Sequence, residues 1–332
     1  MYTLASYIHH LDPILVEIPG TPLALRWYGL AYVAGFVLGY LVLQWLSRKN
    51  LYCVSTEKLG DFVTAVCLFG VLAGGRLGEF FFYWLPERGW QGVVQDPTWV
   101  FRVWEGGMAS HGGILGVLLV TLWYAWKHKL SYPALMDGLA IVSPIGLFFG
   151  RVANFINGEL YGRIVDAASP LAMKFPQEFY TLSPQKQLEA LAALRHTAGV
   201  DTLNQLSLPG EMLHDTIQRV CRENEAMRET LGQFLSPRYP SQLFEAMGEG
   251  FLIFIVLLVL RLYWKKAPAG IFAALFAFMY AAARIVCECF KEPDAALWQG
   301  ITRGQYLSCI IAALGLFFLI PAIRQWRNSG KN

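Results

Sequence analysis

Apolar residues in this chain gather into long runs separated by short polar stretches. Seven runs stand out, at 25–46, 62–85, 108–126, 134–156, 242–264, 269–290 and 304–323. A helix needs about 20 apolar residues to cross the hydrocarbon core of a bilayer, so the pattern predicts seven transmembrane helices. Aromatic residues crowd the ends of the runs, among them Trp27, Tyr83, Trp84, Trp123, Trp126, Tyr263, Trp264 and Trp326, as expected where a helix leaves the membrane. Basic residues follow the first, third, fifth and seventh runs: Arg48, Lys49 and Lys58; Lys127 and Lys129; Lys265 and Lys266; Arg324, Arg327 and Lys331. Short loops rich in Lys and Arg stay in the cytoplasm. The N-terminus is therefore expected outside and the C-terminus inside.

The stretch 163–238 breaks the pattern. It is polar, mixed in charge and punctuated by Pro170, Pro176, Pro184, Pro209 and Pro237. Amphipathic helices are expected near 184–197 and 211–234. His196 and His214 within it read as surface residues. The expected organisation is an all-α polytopic membrane protein: a transmembrane body over 1–162, a small extracytoplasmic head over 163–238, and the rest of the body over 239–332.

Composition agrees with the pattern. Of 332 residues, 55% are hydrophobic and 15% charged, against about 25% charged in soluble domains. The net charge of +3 and the lack of a basic stripe argue against nucleic acid as a partner. Pro13 and Pro19 interrupt the first 20 residues, which do not read as a signal peptide. Cys53, Cys67, Cys221, Cys287, Cys289 and Cys309 form neither a disulfide framework nor a C-x-x-C pattern, and read as small packing residues.

Ionisable residues nonetheless stand in or beside the runs: Arg76, Glu79, His111, Asp137, Arg151, Glu159, Glu245, Glu249, Arg284 and Glu288. A charge at the bilayer centre costs at least ~2.5 kcal/mol, so these groups must face one another or a wet cavity. Arg284 and Glu288 are spaced to pair on one helix face, as are Arg76 and Glu79. The latter two, in a Gly-rich helix, read as helix glue. Around His111 runs Trp104-Glu105-Gly106-Gly107-Met108-Ala109-Ser110-His111-Gly112-Gly113. Four glycines let a substrate or another backbone come close, and a neutral His is a plausible base. Ser110, its neighbour in sequence, faces away. At the end of the fourth run, Arg151 and Asn154 share a face. The planar fork of an Arg suits phosphate, and a phosphate at this depth would belong to a lipid. Neither a metal-binding motif nor a P-loop is present.

These segments together resemble the bacterial prolipoprotein diacylglyceryl transferases. Gly150 to Gly162 is similar to that family's signature of Gly-Arg, Asn-Phe and Asn-Gly-Glu. Around it, in the family's order, stand Arg26-Trp27-Tyr28-Gly29, Gly74-Gly75-Arg76, Trp104 to Gly116, Tyr239 to Glu245, Tyr280 to Asp294, and Gly304-Gln305. The departures are mild: Lys291 stands where Arg is common, Cys287 and Cys289 replace bulkier residues, and 163–238 is long. The resemblance implies seven transmembrane helices with a periplasmic head in the cytoplasmic (inner) membrane. It implies transfer of the diacylglyceryl group of phosphatidylglycerol to the lipobox cysteine of a prolipoprotein, with a thioether formed and glycerol phosphate released. It implies no cofactor and no metal, and as partners phosphatidylglycerol, the prolipoprotein signal peptide and membrane lipids.

The leaving phosphate gains negative charge, so cations must already be in place. The thiol must lose its proton as it attacks. The expected catalytic residues are His111, Arg151, Arg284, Glu288, Tyr28 and Tyr280; those expected to bind the lipid are Arg151, Asn154, Glu159, Gly162 and Arg284. In this reading Arg151 and Arg284 hold the phosphate with Asn154, Glu288 and Glu159 orient them, Tyr28 and Tyr280 fix the headgroup, and His111 takes the thiol proton. The alternative is an ion-coupled transporter, which buried charges would also serve. No internal repeat of the kind common in transporters is visible. An intramembrane protease would need a nucleophile motif that is absent.

Overall fold

A computed structural model describes residues 7–17, 24–102, 107–197, 211–293 and 299–329. Pro19, Trp104, Glu105, Gly106, Pro209, Asp294, Lys331 and the side chain of His214 lie outside the described residues. The protein is mostly helical. A helix stands at each of the seven predicted positions: α1 (Trp27–Arg48), α2 (Thr56–Gln95), α3 (Ser110–His128), α4 (Tyr132–Asn157), and, beyond the polar segment, α8 (Ser241–Tyr263), α9 (Ile271–Cys287) and α10 (Arg303–Ser329). Among the described residues five of them, α1, α2, α4, α8 and α10, are long and apolar enough to cross a membrane. With α9 at 17 residues and α3 at 19, the chain is a multi-pass membrane protein. Large apolar side chains on these helices stay uncovered, such as Val33, Phe69, Leu119 and Phe317, each at least half exposed. Lipid is the solvent that tolerates them.

The polar segment carries α5 (Pro184–Thr197), α6 (Glu211–Glu223) and α7 (Glu225–Gly232), as the amphipathic periodicity predicts. Their apolar faces meet in one small core: Ala190 and Leu194 of α5, Ile217, Val220 and Cys221 of α6, and Met227 and Leu231 of α7, with Phe179 and Leu235. Asn224 caps α7, its side chain accepting from the Met227 amide at 3.2 Å. His196 is exposed. Strand pairing is limited among the described residues. Strand β1 (Tyr7–Ile8) runs parallel to β4 (Met173–Lys174), and β2 (Ile14–Glu17) pairs antiparallel with β3 (Ala24–Arg26).

The chain divides into two compact units. One comprises Met1–Gly35, Pro144–Ile253 and Met279–Ile311; the other comprises Phe36–Ser143, Phe254–Phe278 and Ala312–Asn332. In the second unit, α2 and α3 pack backbone to backbone. Gly70, Gly74 and Gly78, spaced four apart, meet Gly112 and Gly116: a methyl on Gly112 would stand 2.4 Å from the Gly74 carbonyl, and one on Gly116 2.2 Å from that of Gly70. Small residues at this spacing let helices associate in lipid, where burial from water supplies no drive. Asp137 of α4 caps α9, accepting from the Gly270 and Ala273 amides at 2.8 and 2.9 Å. Its carboxylate thereby satisfies donors left open at a helix N-terminus.

Candidate active site

Five charged side chains of the first unit form one cluster. Three helices bring them together: α4 supplies Arg151, α8 supplies Glu245 and Glu249, and α9 supplies Arg284, with Glu288 in the turn directly after its last residue. Glu245 and Glu249 are one turn apart on one face of α8, and each touches both arginines. Glu245 Oε2 lies 2.7 Å from Arg151 Nε and 3.3 Å from Arg284 Nη1. Glu249 lies 3.2 Å from Arg284 Nη1 and 3.9 Å from Arg151 Nη2. Glu288 closes on Arg284 Nη2 at 2.5 Å, the pairing that their spacing predicts. Tyr280, one turn before Arg284, stands within electrostatic reach of Glu249, Arg284, Arg151 and Glu245.

The two arginines are not equivalent. Both terminal nitrogens of Arg284 are engaged by carboxylates, and its side chain is 11% exposed. Arg151 is held through Nε, its side chain is 18% exposed, and its Nη1 makes no hydrogen bond or ion pair among the described residues. The predicted phosphate donors are thus brought together, with Arg151 as the one that keeps a donor to offer.

Asn154, three residues on from Arg151, is buried. Its Nδ2 donates to the Tyr28 hydroxyl at 2.5 Å and to Glu159 Oε1 at 2.8 Å. Tyr28 opens α1, so this contact joins the first and fourth helices. Glu159 is fixed in turn by Gln242 Nε2, which donates to its carbonyl at 2.6 Å. The turn that carries Glu159 out of α4 needs Gly158 at φ 71° and Leu160 at φ 54°, both left-handed. Gly162 then passes between two backbones. A methyl there would stand 2.5 Å from the Phe290 carbonyl and 2.6 Å from that of Tyr239, so only glycine fits.

The crossing at Gly162 is held by charge. Arg238 donates to Glu178 Oε1 through Nε and Nη2 at 2.9 and 2.7 Å, to the Gly162 carbonyl at 3.1 Å and to Glu292 at 3.1 Å. Its guanidinium also lies over the Tyr161 ring. Burial works against its charge, but Glu178 outweighs this and holds the guanidinium above its usual range. Arg163 donates to the Lys291 carbonyl at 2.9 Å. Lys291 itself is buried.

His111 belongs to the second unit, exposed in the first turn of α3. The glycines after it serve the backbone contact with α2. In the same unit Arg76 donates to the carbonyls of Trp99, Val100, Arg102 and Gly107 and lies over the Trp99 ring, 3.9 Å from its centroid. Arg76 therefore ties down the segment leading to α3, a larger task than pairing with Glu79.

The model of the family described as prolipoprotein diacylglyceryl transferase matches residues 13–321. The chain belongs to that family. Curated relatives named phosphatidylglycerol–prolipoprotein diacylglyceryl transferase match along nearly their full lengths. The protein of Bdellovibrio bacteriovorus is 40% identical, covering 94% of this chain and 93% of its own. That of Bradyrhizobium diazoefficiens is 35% identical (94% and 92%), and that of Neisseria gonorrhoeae 36% (93% and 95%). The family match encloses every charge of the Arg151–Arg284 cluster.

Sequence reading missed how this member of the family uses two pairs. Glu245 and Glu249 stood out as charges in an apolar run, but nothing in the sequence says that they bridge both arginines. Glu178 and Arg238 lie 60 residues apart, and neither falls in an apolar run where a charge would draw notice.

Proposed function

We propose that the chain transfers the diacylglyceryl group of phosphatidylglycerol to the lipobox cysteine thiol of prolipoproteins, the first step of lipoprotein maturation, and that the Arg151–Arg284 cluster is its reaction site. The observation that carries the site is the meeting of five charges from three helices, inside a family whose members are named for this transfer. No other cluster of comparable charge is built from membrane helices among the described residues.

The chemistry is a substitution at carbon. The thiolate sulfur attacks the glycerol carbon esterified to phosphate, a carbon–sulfur bond forms, and the carbon–oxygen bond breaks. Its electron pair leaves on the phosphate oxygen, so a monoanionic diester becomes glycerol phosphate with further charge. Arg151 supplies donors to that oxygen, already in place before charge develops. Arg284 holds the carboxylates that aim Arg151 and adds positive potential behind it. Tyr28, Asn154 and Glu159 position the headgroup beside Arg151. Tyr280 faces the same space, and Glu288 fixes Arg284. His111 takes the thiol proton. Gly162 serves by letting the Tyr239 and Phe290 backbones close the end of the site.

All seven helices cross the bilayer in this reading, with the body over 1–162 and 239–332 and the periplasmic head over 163–238. Support comes from the seven helices at the seven apolar runs, and from the separate small core of α5–α7. The chain lies in the inner membrane with its N-terminus in the periplasm and its C-terminus in the cytoplasm, a reading supported by the basic residues at the ends of α1, α3, α8 and α10 and in the loops beyond them.

The test is reconstitution with phosphatidylglycerol and a lipobox peptide bearing one cysteine, read by the mass of the adduct. Wild type is expected to add one diacylglyceryl group, and Arg151→Ala at least a hundredfold less. His111→Asn is expected to be slow at neutral pH and to recover as pH rises toward the thiol pKa. An adduct formed at the wild-type rate by Arg151→Ala moves the phosphate site elsewhere.

A further inference from the structure

The cluster does not balance. Arg151 and Arg284 bring two positive charges; Glu245, Glu249 and Glu288 bring three negative ones, each within 4 Å of an arginine nitrogen. Glu245 and Glu249 are fully buried. Each also has one carboxylate oxygen, Oε1 of Glu245 and Oε2 of Glu249, that is buried without a hydrogen bond. A buried carboxylate oxygen lacking a donor is costly, and like charges one turn apart on a helix oppose each other. A proton added to either carboxylate would lower both costs, removing one negative charge and turning one bare acceptor into a donor. Among the described residues, the other groups that face the pair are Arg151 from α4, Arg284, Tyr280 and Cys287 from α9, and Glu288 in the turn after it. Besides the two arginines, already matched by the carboxylates, none of these is a cation.

Bringing a phosphodiester anion against Arg151 adds a fourth negative charge to two positive ones. The diester is too strong an acid to take a proton itself. We propose that Glu245 and Glu249 act as one proton-binding pair that takes up a proton as the phosphate headgroup binds. They are positioning residues: by giving up one negative charge, the pair releases part of its hold on Arg151 toward the phosphate. After the carbon–oxygen bond breaks, the same proton is available to the glycerol phosphate, whose new charge it offsets. The inference rests on the reading of Arg151 as the phosphate contact.

Linkage sets the sign. A ligand that promotes proton binding binds more weakly as pH rises, by up to roughly tenfold per pH unit for one proton. The experiment is calorimetric titration of the purified full-length protein with a short-chain phosphatidylglycerol, in two buffers of different ionisation enthalpy. Wild type is expected to take up a measurable fraction of a proton, at most one, per lipid bound, with affinity falling toward alkaline pH. In Glu249→Gln and Glu245→Gln an amide mimics the protonated acid. Each is expected to take up less than half the wild-type number and to show a flatter pH dependence, with alkaline affinity no weaker than wild type. A merely structural role would weaken binding at every pH alike. Lipid binding without proton uptake in wild type overturns the proposal. So does uptake that persists in both glutamine variants and vanishes in His111→Asn, which moves the proton to His111. Undiminished binding by Arg151→Ala instead removes the phosphate site itself, and the proposal with it.

Discussion

At the scale of single residues, Arg151 and Arg284 look alike in sequence and differ in surroundings. Arg284 is a counter-ion of three buried carboxylates, and deleting it takes away the ion pair of Glu288 and leaves Glu245 and Glu249 with Arg151 alone. Breaking a buried ion pair by removing one partner costs about 3–5 kcal/mol. Arg284→Ala is therefore expected to lower the melting temperature in detergent clearly, besides abolishing transfer. Arg151→Ala, whose lost guanidinium is partly exposed, is expected to abolish transfer with a much smaller thermal shift. Equal shifts in the two variants would contradict the division of roles. Gly304 belongs to the same neighbourhood. A methyl on it would stand 2.1 Å from Glu288 Oε1, so the glycine that opens α10 exists to admit the carboxylate that holds Arg284.

At the scale of elements, α2 and α3 depend on a glycine seam beside His111. Gly112→Ala puts a methyl 2.4 Å from the Gly74 carbonyl and 2.5 Å from the Gly78 α-carbon, whereas Gly113→Ala meets nothing nearer than the Val71 carbonyl at 3.7 Å. The first variant is expected to lose about 1–3 kcal/mol by overpacking and to slow transfer as the first turn of α3 shifts. The second is expected to melt within a degree or two of wild type and keep its activity. Paired melting curves and transfer rates check this, and two equally tolerated substitutions would deny the seam. Much of this level was legible beforehand. Helix positions followed from apolar runs, and the helices of the polar segment from the periodicity that buries Ile217, Val220 and Cys221 together. Thr302 and Gln305, which bond each other's amides at 3.1 and 3.2 Å in a capping box at the start of α10, emerge only in the structure. The π-helical stretches Val66–Ala73 and Phe80–Trp84 within α2 left no mark in the sequence. Nor did the bridging by Glu245 and Glu249, since pairing across α4, α8 and α9 is a property of the packing and of no local pattern.

At the scale of the whole molecule, the N-terminal segment, the end of α4 and the polar segment meet at His9. Its ring stacks on Phe175 and meets Phe155 edge-on, and Gly158 leaves it room. His9 is buried, with Nε2 unpartnered. Burial, the largest cause, pushes its pKa down from 6.5 to about 4, so the folded protein holds it neutral. The unfolded chain then binds more protons between those two values. The folded state keeps its full stability above pH 6.5 and loses it as pH falls toward 4. At about pH 5 the loss from this one group amounts to about 2 kcal/mol. His9→Phe keeps an aromatic ring between Phe155 and Phe175 and cannot titrate. Melting temperatures of the two proteins in detergent, compared at about pH 7.5 and about pH 5, isolate the contribution. The acid-induced drop is expected to be several degrees smaller in the variant, by the scaling of melting temperature with free energy. An identical drop would mean that water reaches the ring and that the junction at His9 is open. A smaller drop would make the junction a closed joint, through which acid loosens the polar segment from the end of the helix that carries Arg151.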